Sequence, residues 1–233
     1  MFTTGSTLAA VFLLVSATAH AAGFRDLTMP RPDGGQLLYA ISVPDGYKPE
    51  AARPLVLALH PGGERMRYYG RAYAQLVVEP ALRDLGAVIV APDCPTQGWG
   101  DPLADQSVMA LLQKVFAEYT IDKKRVLVTG FSLGGRGTWF MVSHHADLFT
   151  AAIPMAASTG DEPLERLATM PTYIIHSRAD EVVPFAPAEK TALALEAMGR
   201  PVKFEAVSSV THFQMNLYVP ALKRAGRWIA ERW

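Results

Sequence analysis

The sequence predicts an α/β fold, with a mostly parallel, doubly wound sheet and helices on both faces. Short continuous apolar runs indicate strands that are buried on both sides of a parallel sheet, and helical patterns separate most of these runs. Strands that alternate with helices form βαβ units, which place helices on the two faces of the sheet. The sequence shows no internal repeat, no interdomain linker and no large insertion that would form a lid.

The individual elements follow from these patterns in chain order. A turn with the sequence Pro32-Asp-Gly-Gly35 joins the first two strands into a pair. The predicted strands are Phe24–Met29, Gln36–Val43, Pro54–Leu59, Ala87–Ala91, Arg125–Thr129, Ala151–Met155, Thr172–Ser177 and Val202–Val207. The predicted helices cover about Tyr68–Arg83, Leu103–Tyr119, Leu133–His145, Pro187–Met198 and Leu217–Glu231.

The N-terminus has the features of an export signal. The first 22 residues contain no Asp, Glu, Lys or Arg, and an apolar run, Leu8–Val15, precedes small residues ending in Ala19-His20-Ala21. This order resembles a secretory signal with an A-x-A cleavage site, and the run is shorter than the roughly 20 residues that span a bilayer. We therefore expect cleavage after Ala21, one domain over residues 22–233, a secreted or periplasmic location and no stable membrane insertion. A disordered or membrane-tethering N-terminus is the alternative.

Composition narrows the possible partners. The 22 basic and 22 acidic residues give a formal net charge of zero, and no long charge run is present, so nothing indicates binding to nucleic acid or to an anionic membrane. The single cysteine, Cys94, cannot form an intrachain disulfide. An apolar content of 50% instead predicts a substantial hydrophobic core.

The pentapeptide Gly130-Phe-Ser132-Leu-Gly134 lies between a predicted strand and a predicted helix. A G-x-S-x-G sequence in this context is typical of a nucleophile elbow, which exposes a serine hydroxyl on a sharp, strained turn. Side chains two residues before and after the serine would collide with neighbouring backbone, so only glycine or another small residue fits there. Ser132 is therefore the candidate nucleophile.

A serine hydroxyl needs a base within hydrogen-bond reach, and that base must be oriented by a carboxylate. In elbow enzymes these partners follow the serine in the order acid, then histidine. His212 lies in a loop between the last predicted strand and the last helix, so chain order selects it. Asp180 follows strand Thr172–Ser177 and is the preferred acid, with Asp161 and the neighbouring Glu181 as alternatives. A helix N-cap is the competing role for Asp180.

A glycine-containing motif, His60-Pro-Gly-Gly63, ends strand Pro54–Leu59. Acyl transfer needs backbone N–H groups aimed at a developing oxyanion. The expected donors are the N–H groups of Leu133 and Gly62, because Pro61 has no N–H. His60 itself is expected to support the loop by hydrogen bonding.

These motifs together resemble the α/β-hydrolase fold, and specifically its small esterase group. That group includes phospholipase/carboxylesterase-like, dienelactone-hydrolase-like and polyhydroxybutyrate-depolymerase-like proteins, and secreted proteins often labelled predicted peptidases. By this resemblance Ser132, Asp180 and His212 map onto the catalytic triad. The segments that carry the resemblance are 59–65, 90–95, 120–139, 147–154, the Asp180 loop and Thr211-His-Phe213.

Other chemistries fit the sequence less well. The glycines after residue 130 lack the spacing of a dinucleotide-binding or P-loop motif. Cys94 has no elbow glycines around it and is expected to be a small buried side chain. Adjacent residues on a helix point about 100° apart, so His144 and His145 do not form a metal site, and we expect no metal or organic cofactor. A non-catalytic binding protein with this fold would normally lack one member of the triad, whereas Ser132, Asp180 and His212 are all present here.

The substrate is less well determined by the sequence. An uncovered site favours accessible esters, either short-chain or linked to polysaccharide, and a peptidase is the rival with the same mechanism. Trp99, in a loop at the expected active-site edge, is the candidate substrate-binding aromatic, and Tyr68, Tyr69 and Trp139 are weaker candidates. The prediction is thus an exported serine hydrolase that cleaves carboxylic esters through an acyl-enzyme.

Overall fold

A computed structural model describes residues 23–64 and 66–233. The expected signal segment, residues 1–21, lies outside the described residues. Within them no helix is both long enough and apolar enough to cross a bilayer.

The described strands are β1 (Gly23–Pro30), β2 (Gln36–Val43), β3 (Arg53–Leu59), β4 (Val88–Pro92), β5 (Ile121–Phe131), β6 (Ala151–Met155), β7 (Thr172–Ser177) and β8 (Val202–Val207). They form one sheet in the order β1-β2-β4-β3-β5-β6-β7-β8. Strands β1 and β2 form an antiparallel pair, β2 also runs antiparallel to β4, and the six strands β3 to β8 are mutually parallel. The predicted mostly parallel sheet is confirmed.

Helices cover both faces of the sheet, as predicted. The helices are α1 (Tyr69–Tyr73), α2 (Glu79–Leu82), α3 (Pro102–Glu118), α4 (Leu133–His144), α5 (Phe185–Ala197) and α6 (Val219–Ala230). Side chains of α3, α4 and α5 share one hydrophobic core with alternate strand residues such as Leu57, and side chains of α1, α2 and α6 share a second core with residues such as Val56. Alternation along each strand therefore supplies both cores.

The segment expected to form one helix over Tyr68–Arg83 is divided. A π-helical turn, Ala74–Val78, joins α1 to α2, and a 3₁₀ turn, Arg83–Leu85, follows α2. Pro80 has no N–H, and its ring would clash with the carbonyl four residues earlier, so a regular α-helix cannot continue through this point. The π-helical turn accommodates Pro80 at the start of α2.

Parallel strands bring their carboxyl ends to one edge of the sheet. The loops after β3, β4, β5, β7 and β8 all leave the sheet at this edge. These loops contain His60, Trp99, Ser132, Asp180 and His212, so the topology gathers residues that are up to 152 positions apart in the chain.

Candidate active site

Ser132 occupies the sharp turn between β5 and α4. Its backbone has φ 54° and ψ −115°, a conformation in which a residue with a side chain is strained. The Ser132 N–H donates to the Met155 carbonyl oxygen at 2.9 Å, which fixes the turn against β6.

The glycines of the elbow are required by close backbone contacts. A Cβ at Gly134 would lie 1.8 Å from the Leu59 carbonyl oxygen, and a Cβ at Gly130 would lie 2.3 Å from the Gly134 carbonyl oxygen. Because both obstacles are backbone atoms, they cannot rotate away. The steric reason given for these two glycines from the sequence agrees with the geometry.

The structure brings Ser132, His212 and Asp180 together in one line of hydrogen bonds. His212 Nε2 lies 2.8 Å from Ser132 Oγ, and His212 Nδ1 lies 2.8 and 3.0 Å from the two carboxylate oxygens of Asp180. With Nδ1–H donating to the carboxylate, the unprotonated Nε2 faces the serine hydroxyl and accepts its proton in the hydrogen bond. This arrangement is able to make the hydroxyl a nucleophile.

Asp180 is held by more than the histidine. Its side chain is 0% exposed, and its Oδ1 accepts N–H bonds from Val182 at 3.0 Å and Val183 at 2.8 Å. His176 Nε2 donates to the Val183 carbonyl oxygen at 3.0 Å and lies 3.5 Å from Asp180 Oδ2. Asp180 therefore fixes its own loop and contacts His212 at the same time. Helix α5 begins only at Phe185, so Asp180 is not its N-cap.

The two alternative acids occupy different places. Glu181 Oε2 accepts the backbone N–H of His212 at 3.0 Å, so Glu181 holds the backbone of the histidine and not its ring. Asp161 is exposed in a turn after β6. Of the three candidate carboxylates, Asp180 is the one whose oxygens face the imidazole.

The imidazole of His212 is packed between aromatic rings. Its ring centroid lies 5.0 Å from that of the buried Phe131 and 6.0 Å from that of Phe213, whose ring plane is nearly perpendicular to it. The residue is only 8% exposed. The contact with the buried Phe131 restricts rotation of the imidazole away from Ser132, whereas Phe213 stands largely in solvent.

The loop after β3 places Gly62 beside Leu133. A Cβ on Gly62 would lie 3.6 Å from Leu133 Cδ2, so the two expected oxyanion donors belong to neighbouring backbone segments. Leu133 is the first residue of α4, and the first N–H groups of a helix have no carbonyl partner within it. The helix N-terminus also carries a partial positive charge that favours an anion at this point.

His60 links the loop after β3 to the loop after β4. Its Nε2 accepts the Cys94 N–H at 2.9 Å, so its Nδ1 carries the proton and donates to the Pro61 carbonyl oxygen at 2.6 Å. Burial lowers the pKa of His60 to about 4, so the ring is neutral near pH 7. The supporting role expected for His60 agrees with these contacts.

Trp99 does not lie where the sequence suggested. It is 1% exposed, its Nε1 donates to the His60 carbonyl oxygen at 3.1 Å, and its Cβ packs where a side chain at Gly137 would be. A residue this buried is not a substrate contact, and the expectation is corrected: Trp99 supports the loop that carries Gly62. Trp139 is likewise 1% exposed.

A cavity of about 340 Å³ opens beside Gly62 and Leu133. Its wall includes Tyr69, one of the weaker aromatic candidates, and Cys94, which is partly buried as expected for a small packed side chain. Other lining residues were not anticipated: Arg31 in the β1–β2 turn, Gln36 at the start of β2, and Met66 and Arg67 in the loop before α1. No sequence pattern indicated the first two, because the antiparallel pairing of β2 with β4 is what brings them to this edge.

The two adjacent histidines at the end of α4 have separate partners. His144 Nε2 lies 3.3 Å from Glu162, and His145 Nε2 lies 2.6 Å from Asp105. Among residues 23–64 and 66–233, no group of three His, Cys, Asp or Glu side chains is arranged to hold a metal ion.

Curated proteins with similar sequences are esterases by name. The chain is 24% identical over 156 residues to a probable feruloyl esterase C of Aspergillus terreus, covering 63% of this chain and 56% of that protein. It is 28% identical over 143 residues to a bifunctional acetylxylan esterase/xylanase of Neocallimastix patriciarum, covering 58% of this chain and 20% of that protein. The chain thus spans little more than half the length of the feruloyl esterase that it matches.

Solved structures and a family match agree on the fold. The crystal structure of a thermostable esterase superposes with a TM-score of 0.76 at 26% identity, covering 89% of this chain and 62% of the other. A ferulic acid esterase superposes with a TM-score of 0.73 at 15% identity, covering 91% and 99% of the two chains. Residues 99–218, just over half the chain, match the dienelactone hydrolase family. This α/β-hydrolase chain belongs to the dienelactone hydrolase family.

Proposed function

We propose that this protein is a serine carboxylesterase that works through an acyl-enzyme. One observation carries the proposal: Ser132 Oγ, His212 and the Asp180 carboxylate form a continuous line of hydrogen bonds, with 2.8 Å between Ser132 Oγ and His212 Nε2. The strained backbone of Ser132 and the family match support the same reading.

In the acylation step, Ser132 Oγ attacks the ester carbonyl carbon while its proton passes to His212 Nε2. The imidazolium that forms is stabilised by Asp180, which also keeps Nδ1 protonated throughout. The carbon–oxygen bond to the alcohol then breaks, and the proton on Nε2 moves to the leaving oxygen. The products are a free alcohol and an acyl group bound to Ser132 Oγ.

The negative charge that develops on the carbonyl oxygen needs fixed donors. The N–H groups of Leu133 and Gly62 are assigned this role, since the two backbone segments adjoin each other next to Ser132. Neutral donors suit this position because they bind the oxyanion without requiring a proton transfer. The chemistry calls for no metal or organic cofactor.

Deacylation repeats the same route with water as the nucleophile. His212 Nε2 accepts a proton from water, the hydroxide attacks the acyl carbonyl, and Ser132 leaves after recovering its proton from the imidazolium. The free carboxylic acid departs and the site returns to its starting state.

The substrate class that we propose is an ester of a saccharide. Named relatives are feruloyl and acetylxylan esterases. In residues 23–64 and 66–233 no inserted element covers the site. The cavity beside Gly62 and Leu133 measures about 340 Å³ and has the Tyr69 ring on its wall. An acetyl group would leave most of this space to water, whereas an aromatic acyl group would occupy much of it, so a hydroxycinnamoyl acyl group is favoured over acetate.

We further propose that residues 1–21 direct export and that residues 22–233 act as one domain. The uncharged segment with its apolar run Leu8–Val15 supports this proposal. Expression of the full chain in a secreting host should yield a protein whose N-terminal sequence begins at Ala22. Recovery of intact residues 1–21 on the exported protein would contradict it.

The decisive experiment compares ester hydrolysis by wild type and Ser132→Ala. The panel is p-nitrophenyl acetate through palmitate, methyl acetate, methyl ferulate, acetylated xylan and a set of peptides. The control is Ser208→Ala, which changes an exposed serine after β8. We expect turnover of esters that is lost in Ser132→Ala and retained in the control, with methyl ferulate hydrolysed faster than methyl acetate. Peptide cleavage without ester cleavage would replace the proposal by a peptidase, and turnover that survives Ser132→Ala would refute the serine mechanism.

A further inference from the structure

Phe213 is the most exposed large apolar side chain among the described residues. It is 80% exposed, although it directly follows the buried His212. A phenyl ring left in water gains none of the free energy that burial provides. Single exposed apolar side chains are common on protein surfaces, but this one directly follows the proposed catalytic base. Its position therefore calls for an explanation in terms of what binds there.

The proposed reaction fixes the side of the site on which the alcohol lies. The leaving oxygen must come within hydrogen-bond reach of His212 Nε2, because it takes its proton from that atom. The carbonyl oxygen points instead toward Leu133 and Gly62, next to the 340 Å³ cavity. The alcohol thus extends past the histidine, and the acyl group takes the cavity side.

Two exposed apolar side chains stand on the loops that meet at the histidine. Phe213 follows His212 on one loop, and Val182, which is 51% exposed, lies on the Asp180 loop, where its N–H donates to Asp180. The Phe213 ring meets the imidazole edge to face, at an angle of 85° between planes. An exposed fraction of 80% leaves most of the phenyl ring accessible to a ligand.

Polar groups surround these apolar side chains. Glu181 and Gln214 are exposed neighbours of Val182 and Phe213 in the chain, and each already orders the His212 loop through a backbone N–H. A long alkyl alcohol would require a continuous apolar channel. A sugar ring has one face of C–H groups and a rim of hydroxyls, which matches an exposed aromatic ring with polar side chains next to it in the chain.

We propose that Phe213 is the alcohol-side specificity residue and that it stacks against the sugar ring of a saccharide ester. This inference rests on the proposed serine esterase function, and it adds the residue that distinguishes a saccharide alcohol from a small one. Phe213 touches the leaving alcohol in this proposal and takes no part in proton transfer.

The test keeps the acyl group constant and changes the alcohol. The paired substrates are methyl ferulate with a feruloylated arabinoxylan oligosaccharide, and methyl acetate with acetylated xylotriose. Phe213→Ala should lower kcat/KM for the saccharide esters by roughly five- to tenfold and leave the methyl esters within about twofold. Phe213→Trp should restore the saccharide rates, and Leu193→Ala, which removes a 61% exposed side chain from α5, should change neither.

The outcomes separate this inference from the proposed function. An equal loss on methyl and saccharide esters would assign Phe213 to the support of His212, and no loss on either would refute the stacking contact. Titration of the feruloylated oligosaccharide into Ser132→Ala, with and without Phe213→Ala, measures binding apart from turnover. If wild type hydrolyses no ester while Phe213→Ala still weakens this binding, the esterase proposal fails and the sugar contact stands.

Discussion

Replacing Asp180 by Asn gives the sharpest test of the proposed triad. Asp180 Oδ1 accepts the N–H groups of Val182 and Val183, so the oxygen of an asparagine would stay on that side to keep both bonds. Its NH₂ group would then occupy the position of Oδ2, which lies 2.8 Å from His212 Nδ1. A donor at this position opposes a proton on Nδ1, and the remaining oxygen, 3.0 Å from Nδ1, already accepts two N–H groups, so the histidine would favour the tautomer with the proton on Nε2.

The size of the effect follows from two losses. With the proton on Nε2, the histidine presents a donor to Ser132 and cannot act as its base. The imidazolium also loses a negative charge about 4 Å away, which is worth about 4 kcal/mol at an effective dielectric of about 20, or about a thousandfold in rate. Together these losses predict a fall in kcat of about 10³- to 10⁴-fold.

The measurement is kcat on methyl ferulate, or on the best p-nitrophenyl ester, for Asp180→Asn and wild type. Because the asparagine keeps both loop hydrogen bonds, the melting temperature should change little, which separates a chemical defect from a folding defect. Asp161→Asn, which alters an exposed carboxylate, is the control and should keep wild-type rates. A folded Asp180→Asn protein with a nearly unchanged kcat would refute the role of Asp180 and move attention to Glu181.

Three further predictions concern the surrounding structure. Gly134→Ala should destabilise the protein by about 3 kcal/mol or more in urea unfolding, because the new Cβ meets the Leu59 carbonyl oxygen at 1.8 Å, whereas Gly62→Ala meets no such obstacle. Lowering the pH from 6.5 toward 4 should reduce the free energy of unfolding by up to about 3 kcal/mol, because His60 binds a proton at a higher pH in the unfolded protein than in the folded one. If His60→Gln shows the same dependence of unfolding free energy on pH as wild type, His60 is not its cause. Cys94→Ser should keep kcat/KM within about threefold, as the hydrogen bond to His60 comes from the backbone; a larger loss would give the thiol a role.

Local sequence patterns and the order of motifs along the chain were sufficient to predict the position of the three proposed catalytic residues. The strand and helix around Ser132 and the glycines at 130 and 134 are readable from the sequence because the elbow is a local device. His212 and Asp180 follow from their places after strands β8 and β7, and the structure brings both to Ser132. Their catalytic roles stay predictions that the variants above test.

The burial of Trp99 depends on contacts that a single segment does not reveal. Its loop leaves the sheet at the correct edge, yet the side chain turns inward because Gly137 on α4 leaves space for it. The glycine is visible in the sequence, but its partner is 38 positions away and is determined only by packing. For the same reason Arg31 at the cavity was not foreseen, since its approach depends on the antiparallel pairing of β2 with β4, which brings the β1–β2 turn to the carboxyl end of β4.

Two adjacent carboxylates hold different parts of His212. The side chain of Asp180 is fully buried and contacts the ring, whereas Glu181 is exposed and accepts the backbone N–H of His212. The short loop after β7 therefore sets both the position and the orientation of the imidazole, although His212 itself lies in the loop after β8. The carboxylate of Asp180 lies on the far side of the ring from Ser132, so in the proposed mechanism the imidazolium stands between the carboxylate and the new oxyanion during attack. The N–H groups proposed to bind the oxyanion are neutral and lie on the opposite side, which would keep the two negative charges apart and leave the space beside Phe213 for the alcohol.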